Sequence, residues 1–306
     1  MHRPYYSANE YYREIFGKKI YKISLNGGFS CPNRDGTIDT RGCIFCSEGG
    51  SGDFAANPSL SIAEQIADAS ARISAKYPGS SYIAYFQAFT GTYAPVDKLR
   101  KLYTDAINDS RIIGLSIATR PDCLEQEKIE LLKELSQIKP VWVELGLQTI
   151  NETTAGYIRR GYPLTVFEDA LQRLKEAEIP VIVHVIIGFP GETHDDWMAC
   201  AKYLADHKIH GIKLQLLHVL RNTDLALEYE KGAFNALTLE EYAKAIVDII
   251  EIIPSETVIY RITGDGPKKI LIAPEWSGNK KNVLNRITKE FNLRNTYQGK
   301  ECKNGS

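Results

Sequence analysis

The chain has no apolar run of the roughly 18–20 residues that a membrane-spanning helix needs, so a helical integral membrane protein is excluded. Its first residues, MHRPYYSANEYYREIFGKK, contain no apolar segment of signal-peptide type. Cysteine is scarce, with six in 306 residues, and this excludes a disulfide framework. Clustered free thiols last longest in a reducing compartment. The resulting expectation is a soluble, cytoplasmic protein with no membrane partner. An excess of one charge is also missing, since 37 basic residues face 38 acidic ones. Bulk charge alone therefore does not mark a nucleic-acid-binding protein. No internal repeat or low-complexity linker interrupts the chain.

The charge present is unevenly placed. From Val258 to the C-terminus ten Lys or Arg face four Asp or Glu, and residues 1–46 carry seven against four, which leaves the middle acidic. Such a basic segment is either a docking surface for an anionic polymer such as RNA or a solvated face of terminal helices. As a docking surface it would use Lys280, Lys281, Arg286 and Lys289.

Apolar strand-like runs recur at Ile20–Leu25, Ser81–Phe89, Ile112–Ala118, Val141–Leu147, Pro180–Gly188 and Gly211–Val219. Helix-like stretches lie between them at Ser61–Tyr77, Val96–Asn108, Gln126–Ile138, Thr165–Glu178 and His194–His207. Ser61 and Glu64 read as a capping box. This alternation predicts a parallel α/β fold. Cys31, Gln87, Arg120, Gln148, Gly188 and His218 all fall at or just after strand C-termini, which converge on one mouth only in a barrel. The expected fold is a partial (β/α)6 TIM-like barrel over residues 20–220. An N-terminal extension, 1–19, precedes it, and a C-terminal α/β extension with a basic tail, 221–306, follows. A helix near Leu239–Ile252, a strand near Val258–Thr263 and a helix around Lys281–Phe291 are expected there.

Three of the cysteines share one loop, CPNRDGTIDTRGCIFC: Cys31, Cys43 and Cys46. Cys43 and Cys46 form a C-x-x-C pair, and eleven residues separate Cys31 from Cys43. A structural zinc site closes with four protein ligands, yet no His or further Cys falls between Cys46 and Cys123. Three thiolates leave an iron–sulfur cubane one open iron for an outside ligand. The cysteines alone leave both metals open, and a zinc-bound, non-enzymatic RNA-binding module remains an alternative.

Farther on stand ATRPDC, VELGLQT and IRRGYPLTVFEDALQRLKEAEIPVIVHVIIGFPGET. Together with the cysteine loop, and in this order, they resemble the radical SAM superfamily. The similarity is to its Elongator-catalytic-subunit branch, and more narrowly to the bacterial YtqA/MnmL-type tRNA-modifying proteins. It covers about residues 15–265. Two departures stand out: the lengthened first cysteine gap, and FQAFTGTYAP where a Gly-Gly-Glu segment is usual. The chain ends where the Elongator subunit would carry an acetyltransferase domain, so acetyl transfer is not expected.

The resemblance implies a [4Fe-4S] cluster on Cys31, Cys43 and Cys46, with S-adenosylmethionine (SAM) chelating the fourth iron. It implies reductive SAM cleavage to a 5′-deoxyadenosyl radical, fed by a reducing partner such as flavodoxin or ferredoxin. Phe45 would lie against adenine, the Gln87–Thr90 segment near the methionine amine, and one of Arg159 and Arg160, taken as Arg159, on the methionine carboxylate. Glu144 and Gln148 alternate on one strand face and would meet SAM or substrate, or form an internal side-chain pair. Gly188 and Gly191 of GFPGE would let the backbone approach adenine, with Glu192 bracing the turn. His184, facing the mouth, and Cys123, as a hydrogen-atom donor, are the candidate catalytic residues. Each has an ordinary packing role as its alternative. Cys200 and Cys302 read as incidental. The implied substrate is tRNA, at the C5 side chain of a wobble uridine, by trimming carboxymethylaminomethyl to aminomethyl. A small molecule such as a tetrapyrrole is the rival substrate.

Overall fold

The structure is a computed structural model describing residues 4–50, 52, 55–264 and 266–302. The last residues of the expected basic tail and the first three of the N-terminal extension lie outside this set. Helix α1 (Ala8–Phe16) leads into strand β1 (Ile20–Leu25), and the cysteine loop follows. Next come α2 (Ile62–Ser74), β2 (Ser81–Phe86), α3 (Val96–Ile107), β3 (Ile112–Thr119), α4 (Gln126–Ser136) and β4 (Val141–Gln148). The short α5 (Glu152–Tyr157) precedes α6 (Leu164–Glu176), β5 (Val181–Ile187), α7 (His194–Asp206) and β6 (Gly211–Leu216). The C-terminal part holds β7 (Val219–Leu220), α8 (Asp224–Glu230), α9 (Leu239–Ile252), β8 (Val258–Arg261), β9 (Leu271–Ala273) and α10 (Lys280–Arg294).

The main sheet is parallel throughout, in the order β1-β2-β3-β4-β5-β6-β8. It therefore has seven strands, and the seventh comes from the segment expected to be an extension. Strands β1 and β8 are the two edges of this sheet and do not pair with each other, so the barrel is open between them. Both faces of the strands are covered, and two side-chain sets separate by the period-two rule. On β4, Val143, Leu145 and Leu147 face outward into the core shared with the helices, whereas Trp142 and Glu144 face inward. Each such buried aliphatic side chain contributes roughly 2 kcal/mol from removal of apolar surface.

The interior is layered. At the bottom Ile20, Ile83, Trp142 and Ile182 form an apolar plug with Tyr12 of α1. Helix α1 begins with a full capping box, Ser7 and Glu10, and ends at Gly17 in the left-handed region, φ 68°. Its approach segment is tied to β8 by the Ile259 amide donating to the Tyr6 carbonyl at 2.8 Å. The N-terminal extension is thus the floor of the barrel. Above the plug sits a polar layer containing Lys22, Tyr85, Ser116, Glu144, His184 and Lys213. The mouth lies above that.

Candidate active site

The cysteine loop is built from its own sequence. Cys31 opens a turn in which the amides of Arg34 and Asp35 both donate to its carbonyl. Asn33 and Arg34 then act as cross-braces. The Asn33 amide donates to the Arg159 carbonyl at 2.7 Å and reaches Cys43 Sγ at 3.5 Å. The Arg34 guanidinium donates to the carbonyls of Cys46 and Ser47 at 2.9 and 2.6 Å. Between the paired cysteines Ile44 is buried, and backbone bonds to Ile158 and Leu225 anchor it. Phe45 is left at the surface of the cavity, 5.6 Å from the Phe189 ring.

Cys31, Cys43 and Cys46 line one cavity of about 160 Å³. The same walls carry Gln87, Thr90, Glu144, Gln148 and His184. Residues from β2 through β8 meet around this single space, which an open sheet would string along its edge. Burial, with Cys46 adding to it, pushes the Cys43 thiol up to about 12. A proton must therefore leave when a metal binds there. Among the described residues no three His, Cys, Asp or Glu side chains converge tightly enough for a single metal ion. The thiols surround a volume instead, which suits a multi-atom cluster better than zinc. Three soft thiol donors on one cavity wall, with braced carbonyls behind them, fit such a group.

Gln148 lies at a register shift at the end of β4, with φ 69°. A side-chain-bearing residue in the left-handed region costs about 1 kcal/mol or more and persists where a function needs it. Its Oε1 is buried without a hydrogen-bond partner, and the residue lines the cavity. Gly146 explains the spacing, because a Cβ there would stand 2.9 Å from Gln148 Nε2. Thr90 is buried, and its amide donates to the Ser30 carbonyl at 3.2 Å, tying the β2 loop to the cysteine loop. The Gln87 amide oxygen accepts from Ser24 at 2.9 Å.

Several expected roles are redistributed. Glu144 is fully buried and accepts from Lys22 at 2.5 Å, Ser116 at 2.7 Å, His184 at 2.7 Å and Lys213. It is the hub of an internal network, so its oxygens are not open to SAM. Burial works against that charge, but Lys213 and Lys22 hold the carboxyl well below its ordinary range. Burial, helped by Lys213, lowers His184 to about 4, so the imidazole is neutral at pH 7. The network sets its tautomer, with Nε2–H donating to Glu144 and Nδ1 accepting from Gln215 at 3.4 Å. Burial, with Lys22 and Arg261 nearby, lowers Lys213 to about 7.

Arg159 pairs with Asp224 of α8 at 2.5 Å and does not line the cavity. Arg160 does, but its guanidinium is spent on Glu152 and on the carbonyls of Leu147, Thr149 and Tyr162. Neither is open to the methionine carboxylate. Cys123 is 3% exposed, packs beside Asp122 at 3.8 Å and lines neither this cavity nor the larger one beside it, so it takes its packing role. Arg120 and Asp122 form an ion pair, with two bonds at 2.9 and 2.7 Å. Gly188 and Gly191 have φ of 101° and 84° but line neither cavity, and a Cβ on Gly188 would meet Leu237 at 3.1 Å. They shape the turn rather than floor an adenine site. Glu192 braces that turn, accepting from Thr149 and Trp197.

Lys22, Lys213, Tyr85, Gln215 and Arg261 complete the polar layer and the cavity and were not singled out from sequence. The signal was available: IYKISL and GIKLQL each put one lysine at an inward position of an otherwise apolar strand.

Residues 39–204 match the radical SAM superfamily, and residues 209–292 match the Radical SAM C-terminal domain. The chain belongs to the radical SAM superfamily. It is therefore a radical SAM enzyme whose cofactors are a [4Fe-4S] cluster and SAM. It is 45% identical over 296 residues to YtqA of Bacillus subtilis, covering 97% of this chain and 92% of that one. It is 26% identical over 186 residues to the tRNA uridine(34) acetyltransferase of Methanocaldococcus jannaschii, 60% of this chain and 33% of that one. In fold it is similar to Elp3 of Methanocaldococcus infernus, with TM-score 0.68 and 18% identity over 91% of this chain and 64% of that one. The chain thus spans less than two thirds of the Elp3 chain it matches. These relatives put it in the Elongator-like radical SAM branch. No helix among the described residues is long and apolar enough to cross a membrane.

Proposed function

We propose that this enzyme modifies tRNA at the C5 side chain of a wobble uridine, trimming carboxymethylaminomethyl to aminomethyl. The observation that carries the reading is the joining of two cavities. The thiol-lined space shares Phe45, Cys46, Gln87, Gln148, His184 and Arg261 with a second cavity of about 1300 Å³. In this reading SAM extends from the thiol-lined space into the larger cavity, which has room for a nucleoside beside it. The similarity to an enzyme named for uridine 34 supports tRNA as the substrate class.

With the cluster on Cys31, Cys43 and Cys46, and an electron from a donor such as flavodoxin or ferredoxin, bound SAM supplies the hydrogen-abstracting radical. The protein's own part is placement. Phe45 offers a ring for adenine, and Gln148, which lines both cavities, offers its side-chain amide to a SAM hydroxyl or amine. Neutral His184, held between Glu144 and Gln215, orients the Gln215 amide at the cavity wall. Lys213 donates to Glu144 and Tyr85 and so holds the polar layer under the cavity in place. Walls on six strands enclose the thiol-lined space and limit the water that reaches it.

Nucleoside mass spectrometry of tRNA treated with the loaded enzyme, SAM and reductant tests the proposal. Loss of carboxymethylaminomethyluridine with matching gain of aminomethyluridine is expected. Unchanged tRNA, together with turnover of a tetrapyrrole or another small molecule, would contradict it.

A further inference from the structure

The larger cavity has a one-sided lining. Arg261, Lys268, Lys269 and Lys280 face it, and no Asp or Glu among the described residues does. In a chain with as many acidic as basic residues, a cavity lined by one sign is a selective feature. The residues at its rim, Ser277 to Lys280, lead into the start of the 15-residue helix α10. The positive end of that helix dipole adds to the lysines. The rest of α10's positive charge is directed elsewhere: Arg286 pairs with Glu290 and Glu240, and Lys289 lies on an outer face beside Leu293. Of the four docking cations expected from sequence, only Lys280 lines the cavity.

Deeper in, the lining changes character. The amides of Gln87, Gln148 and Gln215, and the ring of Phe45, lie between the cationic rim and the cysteines. Lysines outside, with hydrogen-bonding amides, a ring and Arg261 where the two cavities meet, suit the order that a nucleotide presents from phosphate to base. The volume of about 1300 Å³ exceeds the roughly 300–1000 Å³ of an ordinary small-ligand pocket.

We propose that the turn carrying Lys268 and Lys269, together with Lys280 and the start of α10, is a phosphate-binding subsite. It holds the backbone of a single-stranded RNA segment while one unstacked base enters toward the cysteines. A base stacked in a duplex would not reach past the rim, so the substrate nucleotide is bound splayed out. The inference rests on the tRNA reading and assigns it a place on the molecule.

The test measures affinity of the cluster-loaded, SAM-bound protein for a labelled anticodon stem-loop across a series of KCl concentrations. The expected slope of log affinity against log salt falls in magnitude by about 1.4 in Lys268→Ala/Lys269→Ala, near 0.7 for each phosphate left without its lysine. Affinity at low salt falls about tenfold or more. A charge-reversed Lys268→Glu weakens binding further, and melting temperatures show that both variants are folded. Lys289→Ala, on the outer face beside Leu293, binds as the unaltered protein does. If the outer-face variant loses affinity and the turn variant keeps it with an unchanged slope, the subsite is overturned while the tRNA reading stands. If the unaltered protein binds the stem-loop without salt dependence, or binds only a small polycarboxylate, both are overturned.

Discussion

At the scale of single residues, the three loop thiols and the network hub make separate predictions. Cys43→Ala removes one of three cluster ligands from a loop outside the main core. The reconstituted variant should hold almost no iron and lack broad visible absorbance, while its circular dichroism matches the unaltered protein. Full iron loading in the variant would remove Cys43 from the ligand set. His184 predicts an acid response. Its ordinary value of 6.5 falls to about 4 in the folded protein, so between these values the unfolded chain binds more protons. Stability is therefore full above pH 6.5 and declines as pH falls toward 4, by ~2 kcal/mol at pH 5. Anaerobic urea titrations should show His184→Gln losing ~2 kcal/mol less than the unaltered protein between pH 7 and 5. His210, also lowered to about 4 by burial, continues to contribute in both. Equal acid losses would mean that His184 is protonated in the fold. That the three loop cysteines and Gln148 would reach one cavity was legible in sequence, because motif and strand period agreed on their placement. For Glu144 the internal side-chain pairing held as its alternative is the one formed, and neither its partners nor that of Arg159 were legible, because Lys22, Lys213 and Asp224 lie 122, 69 and 65 positions away in the chain.

At the scale of elements, long periodic segments were the readable ones. The six early strands and their helices fall where the alternation puts them, and the capping box of Ser61 and Glu64 is formed. Short elements were not readable. Helix α5 has six residues and strand β7 two, too few to set up a period. Helix α1 carried a legible start signal in Ser7 and Glu10, but its fate depended on tertiary contact. Its Tyr12 is 5% exposed against Trp142, with ring centroids 5.8 Å apart. Tyr12→Ala should cost ~3–5 kcal/mol, because the plug leaves no neighbour free to fill the space. Chemical denaturation checks this. A loss under ~1 kcal/mol would mean that α1 is an appendage and not the barrel floor.

At the scale of the whole molecule, the fold class was legible because strand-end polar residues had to meet somewhere, and only a curled sheet brings them together. The seventh strand was harder to place. Val258–Arg261 is four residues long, and nothing local says that it joins β6 instead of starting a separate layer. That strand brings Arg261 to the cavity and sets the lysine-bearing turn beside the open edge. Cluster loop, SAM walls and cationic rim thus form one continuous surface. On the proposed function, radical chemistry and RNA binding are joined there. The sharpest check is 5′-deoxyadenosine formed by the anaerobically reconstituted enzyme with SAM and dithionite, with and without bulk tRNA. Formation that tRNA stimulates is the expected outcome. Formation indifferent to tRNA, or none from fully iron-loaded protein, would contradict that joining.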